Sequence, residues 1–535
     1  MPQCTLVTAF YPIQSKFPKD AYLDWANYYM SIQNPIVLFT TAELEPVFQN
    51  MRQKRPIHII VLPFEELYMW KQYNNQWKFH KTIDHEPYHT PELYAIWAQK
   101  SVFVELAIQK NPFMTEYFYW CDIGAFRTKP TDAMIQSFPM AYRLPQKKIL
   151  LSSICDFLEE DQDGDFCHKD RIVGGLWGGD EYACIRWRYA YEAMLIRYFA
   201  EGKFAGKDQS VMLSTYMDDT TLAEIVQPTI FSVNPWFFAH SLLSDESVEY
   251  KRNESYTHIV GKPVVTVNIM GGLGNQLFQV ASAYAYAMQN GATLRIMRTK
   301  PSDDGRRTYW DSILRRFSPY LVDILPEGLN NWHEVEATLY SDIPALTNKG
   351  LYLHGYMQSS KYFGKDTTKE AIRLLIQPST NDIENVNKYD FLLNDKDRIV
   401  VVHARRTDYL KTQHHIDFHG PLDVEYYKRA TEYICTKIKD PIFVLCSDDI
   451  MYWIENLSKI QAFQKHPFHI LADVEEVVSF QLLQQFQHFI IANSSYSWWF
   501  AWLAKAKTVL APKQWFGKIG PRQYEDIYEK DWIRL

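Results

Sequence analysis

The chain has 535 residues, more than one hydrophobic core usually supports, so two to four domains are expected. It is 47% apolar and 15% aromatic, which excludes a disordered chain. The net charge of −7 arises from acids and bases mixed along the sequence, which argues against a nucleic-acid-binding face.

The seven cysteines show no CxxC spacing and several lie in apolar segments, as buried thiols do in a reducing compartment; no zinc site is expected. The opening residues, MPQCTLVTAFYPI, lack the basic and apolar regions of a signal peptide. No run of about 18 apolar residues occurs, so no membrane span and a cytoplasmic, bacterial or viral type of location are expected. The many Tyr, Phe and Trp residues suit packing against pyranose rings, or simply fill cores.

Residues 1 to about 250 alternate strand and helix patterns, which implies a mostly parallel sheet. Strands are expected at Thr5–Phe10, Pro35–Thr40, Ile57–Leu62 and Tyr117–Asp122, and helices at Ala21–Ile32 and Leu93–Ile108. In YFYWCDIGAFR, Asp122 leaves a strand just before Ile123-Gly124. A carboxylate placed there can hold Mg²⁺ or Mn²⁺ against a diphosphate, or can be a turn residue. Only the first acid of a DxD is present, because Gly124 fills the second place. In RIVGGLWGGDEYA, paired glycines permit close ligand approach and Trp177 can stack on a sugar; the alternative is two tight turns around a packed indole. Asp208, with Gln209 beside it, is a candidate catalytic or hydroxyl-binding acid, or else a helix N-terminal acid.

The strings YWCDIGAFR, GGLWGG and KDQS, in this order, resemble the HtrL/YibB family over roughly the first 250 residues. The resemblance implies a GT-A-type fold and sugar transfer without naming a donor. The acid-rich EEDQDGDF stretch, Glu159–Phe166, lacks the glycine spacing of an EF-hand and reads as a solvated loop. Ser247–Pro263 reads as a linker, which gives domains at 1–255 and 264–535.

The second half restarts with a strand at Val264–Asn268 and the glycine turn Gly271, Gly272, Gly274, leading into a helix from about Asn275. Such a turn offers free N–H groups and positive potential to an anion, or is a plain strand–helix turn; it is neither a Walker A nor a full GxGxxG. Strands recur at Thr293–Met297, Leu351–Tyr356, Arg398–Arg405, Ile442–Ser447, Phe468–Leu471, Phe489–Ala492 and Val509–Ala511. Two Rossmann-like lobes split near residue 395 follow, at 264–395 and 396–535, with a ligand between them. Ile399–Val402 run without interruption into His403, Arg405, Arg406 and Asp408, so a buried parallel strand delivers charge at its carboxyl end. Two arginines there bind a diphosphate, or form an ion-pair network with carboxylates. Asp448 and Asp449 end another strand, where they can hold a ribose or base edge. Asn493, Ser494, Ser495 and Ser497 precede an aromatic helix and can offer hydroxyl and N–H donors to a phosphate.

Taken together, GGLGNQLFQ, YMQSSKYF, HARRTDYL, SDD and NSSYSWW resemble the α-1,2-fucosyltransferase family over residues 264–535. The resemblance implies a GT-B-type fold, GDP-fucose as donor, a glycan acceptor, inversion and no metal. Carried over by position, His403, Arg405, Arg406 and Asp408 match one motif, Gly271, Gly272, Gly274, Asn275 and Gln276 another, and Asn493, Ser494, Ser495, Ser497 and Trp498 a third. Thr407 stands where glycine is commonest and Phe500-Ala501 where Gly-Ala is usual. The expectation is α/β throughout: a GT-A-like domain that uses a second nucleotide-sugar with Mn²⁺ or Mg²⁺, followed by a metal-free fucosyltransferase. A non-catalytic glycan-binding N-terminal module, and a lectin or nucleotide-binding regulator for the whole chain, are the alternatives.

Overall fold

The computed structural model describes residues 3–535 except 159–160, 162–165, 167–168, 230–233, 253–261, 299–305, 380–381, 383–385 and 387–388. Most of the acid-rich loop, and residues 253–261 of the expected linker, therefore lie outside the described residues. The chain divides into two compact units: unit 1 is Met1–Gly261 with Arg316–Pro319, and unit 2 is Lys262–Arg315 with Tyr320–Leu535.

Unit 1 is built on strands β1 (Cys4–Phe10), β2 (Ile36–Thr40), β3 (Ile57–Val61), β4 (Tyr117–Cys121), β5 (Ile149–Ser152), β6 (Leu176–Asp180), β7 (Ala223–Pro228) and β8 (Tyr250–Arg252). They form one eight-stranded sheet in the order β3-β2-β1-β4-β6-β5-β7-β8. The first four are mutually parallel, and β6 runs antiparallel to β4. Strands β1 and β2 are buried almost throughout, as expected of a parallel sheet covered on both faces.

Helix α1 (Pro91–Lys110) starts on Thr90, whose side chain accepts from the Leu93 N–H, with proline at its first position. Helix α2 (Glu181–Glu201) is capped by Asp180 and ends on Gly202 at φ +67°. Helix α3 (Asp208–Asp218) is nearly all buried. Strand β6 holds the second glycine pair, so those glycines form neither turns nor a ligand surface. A Cβ on Gly178 would lie 2.3 Å from the Phe118 carbonyl oxygen, so β4 and β6 approach each other only because that side chain is missing.

A buried charge network crosses unit 1. The Glu192 carboxylate accepts from Arg188 (2.7 Å), Arg316 (3.1 Å), and the hydroxyls of Tyr68 and Tyr73 (both 2.6 Å). Burial pushes the Glu192 carboxyl up, but Arg188 and Arg316 outweigh it and hold the group well below the usual carboxylate range.

Unit 2 contains two parallel sheets on either side of residue 395. The first orders β10 (Thr293–Leu294), β9 (Val264–Val267), β14 (Leu351–His354) and β13 (Asn330–His333). A short pair, β11 (Ile296–Met297) and β12 (Leu321–Val322), stands apart from it. The second orders β17 (Phe468–Ile470), β16 (Ile442–Ser447), β15 (Ile399–Ala404), β18 (His488–Ile490), β19 (Thr508–Ala511) and β20 (Ile533–Arg534). Central β15 is wholly buried, which is why its apolar run is uninterrupted.

Two helices join the sheets of unit 2: α4 (Leu273–Gln289) follows β9, and α5 (Ser495–Leu503) follows β18. The Trp499 indole donates to the Gly274 carbonyl at 2.9 Å, and the Phe278 ring lies 4.5 Å from that of Trp498. Both tryptophans are fully buried, so they are core.

Candidate functional site

In unit 2 the site assembles at the carboxyl ends of β9, β14 and β15. Gly271 takes φ +79°, a conformation other residues resist, and turns the chain into α4. Gly274 serves a different purpose: a Cβ there would lie 2.5 Å from the Ser495 carbonyl carbon and 2.7 Å from the Tyr496 nitrogen. Because these are backbone atoms, α4 and α5 would have to part. Gly274→Ala is expected to lower stability by about 1–3 kcal/mol and depress turnover with it, checked by thermal melting beside an activity assay.

Asn275 links the lobes, its Oδ1 accepting from Ser495 Oγ (2.9 Å) and Gln358 Nε2 (2.8 Å). Gln276 is buried and donates to the Gly271 and Arg307 carbonyls, so it braces the glycine turn rather than meeting a donor sugar.

The two adjacent arginines diverge. Arg405 forms a fork on Asp408 (Nε–Oδ1 2.9 Å, Nη2–Oδ2 2.8 Å) and lies 3.4 Å from Asp448. Its side chain is 26% exposed, leaving an edge for an anion. Burial pulls the Arg405 pKa down, but Asp408 and Asp448 outweigh it and keep the guanidinium charged. Arg406 turns away: its guanidinium stacks 4.4 Å above the Tyr452 ring and donates to the Leu422 carbonyl. It anchors the loop, which corrects the expectation of a second phosphate-facing arginine there.

The second cation beside Asp408 is Arg306, with Nη2 at 3.3 Å from Oδ2, and it also borders Gly272. No motif in the sequence marked it. Asp408 is pushed up by burial but held below the usual carboxylate range chiefly by Arg405, with Arg306 adding to this. A carboxylate so paired orients the arginines and is a poor general base.

His403 is 4% exposed, and burial lowers its pKa to about 3. Its ring packs near Tyr496 and Phe500, and its Nδ1 is buried without a partner among the described residues. Asp448 accepts the N–H groups of Arg406 (2.8 Å) and Thr407 (3.0 Å) and the Thr407 hydroxyl, so it shapes the arginine loop instead of holding a ribose. Asp449 begins a helix, its N–H donating to Ser447 Oγ, and its carboxylate makes no capping bond to that helix.

Asn493 is buried and donates to the carbonyls of His419, Gly420 and Trp515. Ser497 is fully buried and bonds to the Ala492 and Ser494 carbonyls; Ser494 is buried as well, with its N–H on Ala492. Of the expected hydroxyl donors, only Ser495 reaches the α4 turn.

A carboxyl that the sequence reading missed lies at the end of β13. Glu334 Oε2 accepts from the N–H groups of Tyr356 (2.8 Å) and Met357 (2.9 Å), holding the loop that carries Gln358. Its Oε1 is buried without a partner among the described residues, and burial raises the group to about 7 against the lowering by Met357, Tyr356 and Tyr362. A carboxyl raised on folding contributes stability that is present below its unfolded value near 4.5 and lost as pH rises through about 7. Glu334→Gln should therefore gain melting temperature relative to wild type at pH 8, and gain little or none at pH 4.5. An equal difference at both values would refute the assignment.

In unit 1, Asp122 and Asp208 converge. Lys100 of α1 donates to Asp208 Oδ2 (2.7 Å) and the Gly174 carbonyl (3.2 Å), and lies 3.2 Å from Asp122 Oδ1. Trp120 Nε1 also donates to Asp122 Oδ1 at 2.7 Å, and the Gln209 N–H to Asp208 Oδ1 at 2.9 Å. The Gln209 amide is tied to the Ile172 carbonyl. Trp177 is 1% exposed in the sheet, so it stacks on no sugar. The ammonium takes the place between the carboxylates that a divalent ion would need. Among the described residues no group of three His, Cys, Asp or Glu converges. Mg²⁺ or Mn²⁺ on Asp122 does not fit this arrangement.

Among the described residues six cysteines are free, and no helix is long and apolar enough to cross a membrane.

The family model described as "Glycosyl transferase family 11" matches residues 243–535. The chain belongs to glycosyl transferase family 11. Residues 3–234 match the model "Bacterial protein of unknown function (HtrL_YibB)". The chain is 26% identical over 292 residues to an alpha-1,2-colitosyltransferase of Escherichia coli, covering 51% of this chain and 99% of the relative. It is 27% identical over 267 residues to the galactoside 2-alpha-L-fucosyltransferase SEC1 of Bos taurus, covering 47% of this chain and 67% of that one. A solved Arabidopsis thaliana FUT1 structure in complex with GDP is 14% identical with a TM-score of 0.29, covering 47% of this chain and 70% of that one; so slight a likeness carries no argument. Unit 2 is thus a glycosyltransferase of α-1,2-fucosyl type.

Proposed function

We propose that unit 2 transfers fucose from GDP-fucose to a glycan hydroxyl, forming an α-1,2 linkage with inversion and without a metal. The observation that carries this reading is the pair Arg405 and Arg306 on Asp408, facing the glycine turn at the start of α4. The leaving diphosphate gains negative charge as the glycosidic bond breaks. Guanidinium groups already oriented by a carboxylate stabilise that charge without reorganising. The positive end of α4 adds to them. Asp449 meets the nucleoside, and the acceptor hydroxyl attacks the opposite face of the fucosyl carbon. The two parallel sheets of unit 2 support a GT-B-type reading of its fold. Calorimetry on the full chain tests the donor: GDP should bind more tightly than UDP, ADP or CMP, and a preference for UDP would refute the reading.

For unit 1, the parallel run β3-β2-β1-β4 with Asp122 at its end supports a GT-A-type fold. The sequence leaves a second nucleotide-sugar transferase beside a glycan-binding module. One observation favours the module: the cation nearest Asp122, Lys100, is already shared among Asp122, Asp208 and the Gly174 carbonyl. Full-chain protein carrying Arg405→Ala should then hydrolyse no nucleotide sugar apart from GDP-fucose at a residual rate, whereas hydrolysis of a second donor would restore the transferase reading.

A further inference from the structure

The unit 1 cluster is arranged around an ammonium as other sites are arranged around a metal. Lys100 is 5% exposed, in the middle of a helix whose neighbours Gln99 and Ser101 are buried too. A lysine ammonium has three N–H donors, and three oxygen partners surround this one: Asp208 Oδ2, the Gly174 carbonyl and the Asp122 carboxylate. Asp208 Oδ2 at 2.7 Å is a charge-assisted hydrogen bond, the Gly174 carbonyl follows at 3.2 Å, and the Asp122 oxygens lie at 3.2 and 3.4 Å, against about 2.0–2.1 Å for oxygen bound to Mg²⁺.

The surrounding backbone is shaped to the same end. A Cβ on Gly174 would sit 2.9 Å from both Asp208 oxygens, and one on Gly175 would sit 2.5 Å from Asp122 Oδ2. This glycine pair makes room for two carboxylates rather than for a ligand. Burial pulls the lysine pKa down, yet Asp122 and Asp208 outweigh it and keep Lys100 charged.

We propose that Lys100 is the resident cation of a built site in unit 1, standing where a divalent ion would bridge Asp122 and Asp208. The site is therefore metal-independent. Asp208 is buried and fully used, whereas the Asp122 side chain is 42% exposed. That leaves Asp122 to accept hydrogen bonds from hydroxyls, the chemistry of a sugar rather than of a metal-bound diphosphate. The proposal deepens the glycan-binding reading of unit 1, and the metal measurement below is indifferent to whether a glycan binds.

The test is Mn²⁺ alone, titrated into the full chain and followed by the electron-paramagnetic signal of the free ion. Wild type and Asp122→Asn are expected to leave the same free Mn²⁺; one equivalent bound by wild type and lost in Asp122→Asn overturns the proposal. Lys100→Ala opens the central position, so Mn²⁺ should raise its melting temperature while leaving wild type unmoved. The same response from both proteins overturns it as well. Should Lys100→Ala not fold, the comparison of wild type with Asp122→Asn still decides, since Asp122 is half exposed and its amide replacement keeps the shape.

Discussion

Arg405→Ala is expected to lower turnover of the nucleotide sugar by about 10²–10³-fold, the ~3–4 kcal/mol that one preorganised donor supplies to a developing charge. The variant should fold. Without Arg405, Asp408 keeps Arg306, and Asp448 keeps the Arg406 and Thr407 N–H groups, so neither carboxylate is left buried and alone. The loss should appear in kcat as well as in kcat/KM, because the charge develops only as the bond breaks. Arg405→Lys should recover little, since an ammonium cannot reproduce the fork on Asp408. A fall of less than about tenfold, ~1.4 kcal/mol, would show that Arg405 belongs to a structural ion network alone.

The largest effect on stability is expected from Glu192→Ala. Glu192 is 1% exposed and is the shared partner of Arg188, Arg316 and two tyrosine hydroxyls. Removing one member of a buried pair costs about 3–5 kcal/mol, because the remaining charge is left uncompensated. Arg188 retains Glu105 at 3.1 Å, which places the loss toward the lower end of that range. Chemical denaturation of the full chain checks this, and a change under ~1 kcal/mol would contradict it. Arg316 lies outside residues 1–255 yet belongs to unit 1, so a fragment of those residues lacks part of its own core, and full-chain variants are the sound comparison.

Much of the fold was legible because burial writes itself as continuous apolar runs. Ile399–Val402 became β15, and Ile442–Ser447 became β16 with the expected bounds. Strand β6 was hidden because its two glycines are there for strand approach, which looks like turn chemistry in a sequence. Strand β13 was hidden because Asn330–His333 is a largely exposed, polar stretch.

In the site, the position of the arginine motif was legible, but its division of labour was not. The two arginines follow the end of the strand at Ala404, where no period dictates direction, and their partners separate them: Arg405 on Asp408, Arg406 on Tyr452 and the Leu422 carbonyl. Asn493 and Ser497 look like ligand groups because they are polar and precede a helix; burial turned both onto the backbone. Arg306 and Lys100 stand in no motif. For Lys100 there was still a signal: a lone charge inside the apolar stretch Ala95–Val104 must find partners, and the carboxylates of Asp122 and Asp208 supply them.

Donor consumption by the full chain, with GDP-fucose, a glycan array and a chelator, is the most direct measurement. The GDP released and the linkage of the product are read by mass spectrometry. The expected result is an α-1,2-fucosylated glycan formed together with GDP at a rate the chelator does not change. No release of GDP from GDP-fucose, or a product without an α-1,2-linked fucose, would contradict it.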